Sequence, residues 1–203
     1  AVGPLIAGLL FNRHLVWFFL GDAATTLVAV VLIALFVRES APTREMVERR
    51  FTAGPSLERA EKGSLVTVLL RRPYLVAFLF IHVLLSLVYS QSGFSLPLQM
   101  TELFGDAGAR TYGQLVAVNA VTVVVFTTVV LHLTERLAPA LTVAVSGLFF
   151  ALGFGMIGLV RSLPLLVLST FVWTIGEILG ATSTSAYIAN HSPMTHRARI
   201  NSI

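Results

Sequence analysis

The chain has 203 residues, of which 56% are hydrophobic and 12% charged, with a formal net charge of +4 and a mean hydropathy of +0.84. A soluble domain carries about 25% charged residues, so these proportions exclude an ordinary globular domain and point to a membrane protein. With no cysteine, a disulfide framework, thiol catalysis and cysteine-bound metal are excluded, and the basic residues gather in one linker and near the end, a topology signal rather than a nucleic-acid surface.

In chain order, Val2–Phe11 reads as the last turns of a helix already under way. The chain ends at Asn201-Ser202-Ile203 without a natural stop, so the expectation is an internal fragment of a longer protein. Five runs reach the roughly 20 apolar residues that cross about 30 Å of hydrocarbon. They are Leu15–Val37, Tyr74–Leu98, Tyr112–Leu133, Leu141–Val160 and Pro164–Asn190. Pro139 precedes the fourth and Pro164 suits the first turn of the fifth, while Gly93 and Pro97 loosen or end the second near its far side. A spanning backbone must satisfy its own hydrogen bonds, so each run is expected as a helix and the fold as all-α.

Between the first two runs lies the long polar piece, residues 38–73, with Pro42, Gly54, Pro55, Gly63 and five glutamates. Thr43 is positioned to cap a short helix carrying Glu45 and Arg49. Ser64–Leu70, followed by Arg71-Arg72-Pro73, is expected to lie along the inner membrane surface. The linker reads as a tether between two bundles, with lipid-binding regulation as the alternative. Alternate connections face the same side. Residues 38–72, 134–140 and the tail together hold eleven Lys/Arg, against three in the opposite set, Arg13, Arg110 and Arg161. Basic residues favour the cytoplasmic side, so the linker and tail are expected there, in a multi-pass protein of the cell (inner) membrane.

Several motifs resemble the major facilitator superfamily of secondary transporters. Val2-Gly3-Pro4-Leu5-Ile6-Ala7-Gly8 resembles the end of that family's antiporter motif on its fifth helix, carried here by Gly3, Pro4 and Gly8. Tyr112-Gly113 with Asn119 is similar to the eighth helix of bacterial drug-efflux members, and Gly176-Glu177 to their tenth. Ser192-Pro193 with Arg197-Ala198-Arg199 resembles the turn into helix eleven, with Ala198 where a glycine is usual. The resemblance implies a partial helical bundle of about five full transmembrane helices plus the end of one more. Residues 1–37 would end the N-terminal half, 38–73 would be the central linker, and 74–203 would hold helices seven to ten and the start of eleven.

Glu177 stands near the middle of the last apolar run, where a carboxylate costs about 2.5–3.5 kcal/mol on insertion scales and is by default functional. Thr170, Trp173, Thr174, Gly180, Ala181 and Thr184 fall on its side of the helix. Its two readings are proton coupling or cation binding, and a neutral acid bonded to Thr174 or a neighbouring helix. In the second run His82, Ser86, Tyr89, Ser90 and Gly93 share a face, and in the third Asn119 and Thr122 do. The resemblance turns these faces towards a common cavity. His82 is a proton relay or a packing histidine; Asn119 is helix–helix glue or a substrate contact; Tyr89 and Trp173 stack a substrate or pack. Arg197 and Arg199 are topology anchors or, by resemblance, members of an inner gate. Asp22 reads as a solvated interfacial acid, and His132 as a cation at a helix end. Gly147, Ala151 and Gly155 form one small-residue stripe and Gly176 with Gly180 another, for close helix approach.

These residues point to a secondary active transporter of a small molecule, proton-coupled and exporting by antiport, with a proton-coupled importer as the alternative. Such a protein needs no cofactor beyond the proton gradient, binds no nucleic acid, and is expected as a monomer at full length. A membrane-embedded enzyme is the remote alternative: no H-E-x-x-H and no cysteine are present, and a Ser86–His82 pair has no evident oxyanion site. An ATP-binding loop of the G-x-x-x-x-G-K-[ST] type is likewise missing from this sequence.

Overall fold

The computed structural model describes residues 15–36, 64–193 and 196–200. Gly3, Pro4, Gly8, the expected Thr43 cap and the side chain of Asp22 lie outside the described residues. Within them the chain forms helices α1 (Leu15–Phe36), α2 (Leu65–Leu70), α3 (Pro73–Ser90), α4 (Ser95–Phe104), α5 (Gly108–Thr134), α6 (Pro139–Leu159), α7 (Leu163–His191) and α8 (Arg197–Ile200), with a 3₁₀ turn at Gly105–Ala107. No strand is present among the described residues. Four stretches are long and apolar enough to cross a membrane: Phe19–Phe36, Pro73–Thr134, Pro139–Leu159 and Leu163–His191.

The 62-residue stretch Pro73–Thr134 is too long for one span and its backbone is broken twice. The expected second run does not continue to Leu98. Helix α3 ends at Ser90, where the side chains of Ser90 and Ser92 donate to Leu87 O and Tyr89 O at 2.7 and 2.8 Å. Hydroxyls that bond local carbonyls compete with the helical ladder, and here they close the last turn. The chain restarts as α4 and turns at Gly105, whose φ of 53° and ψ of −125° favour a residue without Cβ. Helix α5 then begins at Gly108, a full turn before the expected start. A Cβ on Gly108 would sit 2.5 Å from Thr101 Cα, so glycine lets α4 fold back onto α5. Leu96 and Met100 of α4 are buried against Leu115 of α5, and Gln99 Nε2 donates to Ile157 O at 2.7 Å, tying α4 to the end of α6.

Prolines open α3, α6 and α7: Pro73, Pro139 and Pro164 sit in first turns, where an amide hydrogen would lack an intrahelical partner anyway. Ser64 caps α2, its Oγ accepting from Thr67 N at 3.3 Å.

Helix α7 is the hub. Its largest interface is with α6 and its next with α5. Along the α6–α7 seam Ser146 Oγ donates to Gly176 O and Ser169 Oγ to Gly153 O, each at 2.7 Å. Rising numbers on α6 meet falling numbers on α7, so the two helices run antiparallel. The pairs Phe78–Tyr187, His82–Thr184 and Tyr89–Glu177 give α3 the same antiparallel sense against α7. The expected stripe Gly147, Ala151 and Gly155 is not the close-contact face, since a Cβ on Gly155 meets nothing within 4 Å. The buried face of α6 is Thr142, Val143, Ser146, Phe150, Gly153 and Ile157, rotated by about 100°, one residue step of a helix. Outward-facing Val124, Leu148, Leu152 and Leu159, and most of α1, are exposed and apolar, the surface a bilayer covers.

Candidate functional site

Two helices bring their polar faces to Glu177 of α7. From α3, Tyr89 Oη donates to Glu177 Oε1 at 2.9 Å. From α5, Asn119 Nδ2 donates to Glu177 Oε2 at 2.6 Å and to Thr174 Oγ1 at 3.1 Å. Thr174 donates in turn to Thr170 O at 2.6 Å and is fully buried. Of the two expected partners, Thr174 or a neighbouring helix, Glu177 bonds the neighbouring helices, and its link to Thr174 runs through Asn119. Two neutral donors on a carboxylate are charge-assisted bonds, about twice as strong as neutral ones. They stabilise the charge without cancelling it.

Aromatic rings wall the site. Tyr89 lies 6.1 Å from both Phe150 and Trp173, edge-on to the latter, and Phe154 stacks on Trp173 at 5.4 Å. Trp173 is buried, and its indole N–H has no hydrogen-bond partner among the described residues. Thr170 Oγ1, one turn before Thr174, is likewise buried without a partner among the described residues, and a buried polar group left unpaired costs about 1–3 kcal/mol.

Three cavities lie around these residues. One of about 190 Å³ is lined by His82, Ser86, Tyr89, Ser146, Phe150, Glu177 and Thr184, among others. A second, of about 170 Å³, is lined by Tyr89, Ser92, Tyr112, Asn119 and Trp173 with three apolar residues. A third, of about 240 Å³, is bounded by His82, Thr184, Ser185, Ile188 and Ile200 with Leu79 and Ala181. Tyr89 stands between the first two; His82 and Thr184 stand between the first and third. Among the described residues no lysine or arginine lines any of them, and Glu177, in the first, is the one acid.

Of the residues singled out from sequence, Glu177, Tyr89, Asn119 and Trp173 come together. His82 shares the Glu177 cavity but does not touch the acid; its Nδ1 lies 3.5 Å from Thr184 Oγ1, two helical turns along both helices. Thr122 is buried but lines none of these cavities. Arg197 donates through Nη2 to Ala189 O, and Arg72 Nη1 donates to His191 O at 2.7 Å. Both arginines thus meet carbonyls in the last turn of α7, where cations complement the helix dipole. Arg199 is exposed. His132 lies at the end of α5, 3.5 Å from Glu135. Sequence reasoning missed Ser146 and Phe150, and named Tyr112 for its motif without giving it a place at the site. Ser146 had a legible signal, being the single hydroxyl between Thr142 and Arg161. The others are aromatics whose facing depends on packing.

Comparison with known proteins agrees with this architecture. The chain is 24% identical over 195 residues to a protein described as an uncharacterized MFS-type transporter, YhjO, of Bacillus subtilis (strain 168). That match covers 94% of this chain and 44% of the relative, so the chain spans under half the length of the curated relative it matches. No solved structure matches. The model of the Major Facilitator Superfamily matches residues 1–203. The chain belongs to that superfamily.

Proposed function

We propose that this chain is part of a secondary active transporter that moves a small molecule across the cell membrane by alternating access, with Glu177 exchanging a proton. The observation that carries this reading is the contact of one intramembrane acid with Tyr89 of α3 and Asn119 of α5, beside cavities that no lysine or arginine lines among the described residues, with His82 two helical turns from the acid. In this reading a proton or a substrate cation supplies the positive charge that meets the acid. The acid ties together three helices of one half, whose cavity-facing side the rocking of the two halves opens and closes, so its charge state bears on their packing. Trp173, with its unpaired N–H, is a substrate contact in this reading. Residues outside the chain complete the cavity, the full-length protein works as a monomer, and residues 38–73 and the tail lie on the cytoplasmic side.

Export by proton antiport is the direction proposed, on the resemblance of Gly3, Pro4 and Gly8 to an antiporter motif. The test is substrate-induced proton movement by the full-length protein in proteoliposomes. Wild type should move protons opposite to substrate, and Glu177→Gln should abolish that movement while folding normally. Unchanged proton movement in the variant would remove Glu177 from the coupling; movement in the same direction as substrate would make the protein a symporter.

A further inference from the structure

Glu177 has two oxygens and two unlike partners. The Asn119 amide is fixed by its second contact. Thr174 donates its hydroxyl hydrogen to Thr170 O, so its Oγ1 is left to accept from Asn119. An amide nitrogen carries two hydrogens and no acceptor site. Asn119 Nδ2 gives one hydrogen to Thr174 and one to Glu177 Oε2, and cannot reverse without breaking the Thr174–Thr170 bond. Tyr89 differs: a phenol donates or accepts, according to which way its hydrogen turns.

We infer that Glu177 takes up its proton on Oε1, and that Tyr89 is the partner that reverses, donating to the carboxylate and accepting from the carboxylic acid. This rests on the proton exchange proposed above for Glu177. On protonation a proton from cavity water bonds to Oε1, and the new O–H points at Tyr89 Oη. The phenol keeps its own hydrogen, which rotates into one of the two cavities that Tyr89 borders. On release the proton returns to water and the phenol hydrogen swings back. Asn119 holds Oε2 throughout.

The reversal sits at a mechanically suited place. Tyr89 is the penultimate residue of α3, and its carbonyl accepts from Ser92 in the break before α4. The titratable groups facing Glu177 and its cavities are Tyr89 and His82 from α3 and Tyr112 from α5; α6 contributes Ser146 and Phe150, and α4 contributes Leu96, none of which titrates.

The test is a pH titration of the full-length protein in proteoliposomes by infrared and Raman difference spectroscopy. A carboxylic acid C=O band absent from Glu177→Gln reports the proton. The tyrosine Fermi doublet reports whether a phenol donates or accepts. The expected result is that the doublet shifts from donor to acceptor together with the Glu177 band, and that the shift disappears in Tyr89→Phe and persists in Asn119→Ala. Tyr89→Phe keeps the ring beside Phe150 and Trp173, and its proton-coupled flux should fall about 10-fold, as for loss of one hydrogen bond to a charged group. A Glu177 band that titrates with no change in the doublet, or a doublet shift that survives Tyr89→Phe, overturns the inference and leaves the proton-exchange role standing. If no band depends on Glu177, both fall.

Discussion

Gly153 and Trp173 meet across the α6–α7 seam: a Cβ on Gly153 would lie 2.5 Å from Trp173 Cβ and 2.7 Å from its backbone N. Backbone does not yield as a side-chain tip does. Gly153→Ala should therefore force the helices apart, lowering stability by about 1–3 kcal/mol, the usual range for overpacking. Thermal unfolding in detergent checks this, with Gly155→Ala as control, since open space surrounds Gly155. Trp173 also lines the cavity beside Asn119, so Gly153→Ala should weaken transport as well as stability.

Gly180 faces a softer obstacle. A Cβ there would lie 2.7 Å from Ser146 Oγ but 3.6 Å from Ser146 Cβ, the second an ordinary contact. Gly180→Ala alone should destabilise by about 1–2 kcal/mol, because it crowds the hydroxyl that donates to Gly176 O. Adding Ser146→Ala removes the crowding atom, so the double variant should be less impaired than the sum of the single ones. A double-mutant cycle by thermal unfolding measures the coupling; strict additivity would show that Gly180 and Ser146 do not meet this way.

Asn119 should matter more than an ordinary membrane asparagine. Its loss leaves Thr174 Oγ1 without a donor and removes one bond from the Glu177 carboxylate. Asn119→Ala should cost about 1.5–3 kcal/mol, against about 0.6 for an average interhelical hydrogen bond in membranes. Combined with Glu177→Gln, the effects should be markedly non-additive in the same unfolding assay.

Arg72 should hold the end of α7 in place. It leads into α3 and donates to His191 O. Arg72→Ala should raise hydrogen exchange in the last turn of α7, through His191, while the turn around Thr170 stays protected. Equal exchange of that last turn in wild type and Arg72→Ala would assign the end of α7 to other contacts.

Gly105 should resist substitution for a conformational reason rather than a packing one. A Cβ there meets nothing within 4 Å, yet its φ is +53°. Gly105→Ala should cost about 1–3 kcal/mol of backbone strain, read as a lower unfolding temperature with an unchanged interior around Trp173.

Sequence alone determined the apolar runs, their helical nature and the presence of an acid in the last of them. These are local properties: a spanning segment must be long, apolar and internally hydrogen-bonded, and each condition is met within one stretch of residues. Polar positions at helical spacing also put Tyr89, Asn119 and Glu177 on usable faces. The tertiary structure decided the rest. Which glycines make close contact depends on the rotation of α6 about its axis, which brought Gly153 rather than Gly155 to the seam. The break after Ser90 depends on α4 finding a partner in α5, through Leu96, Met100 and Leu115. The separation of His82 from Glu177 follows from the antiparallel register of α3 against α7, which sets His82 opposite Thr184. Contacts between residues 55 to 88 positions apart, such as those of Asn119 with Thr174 and of Tyr89 with Glu177, are set by packing in three dimensions, and helical periodicity reaches only along one helix.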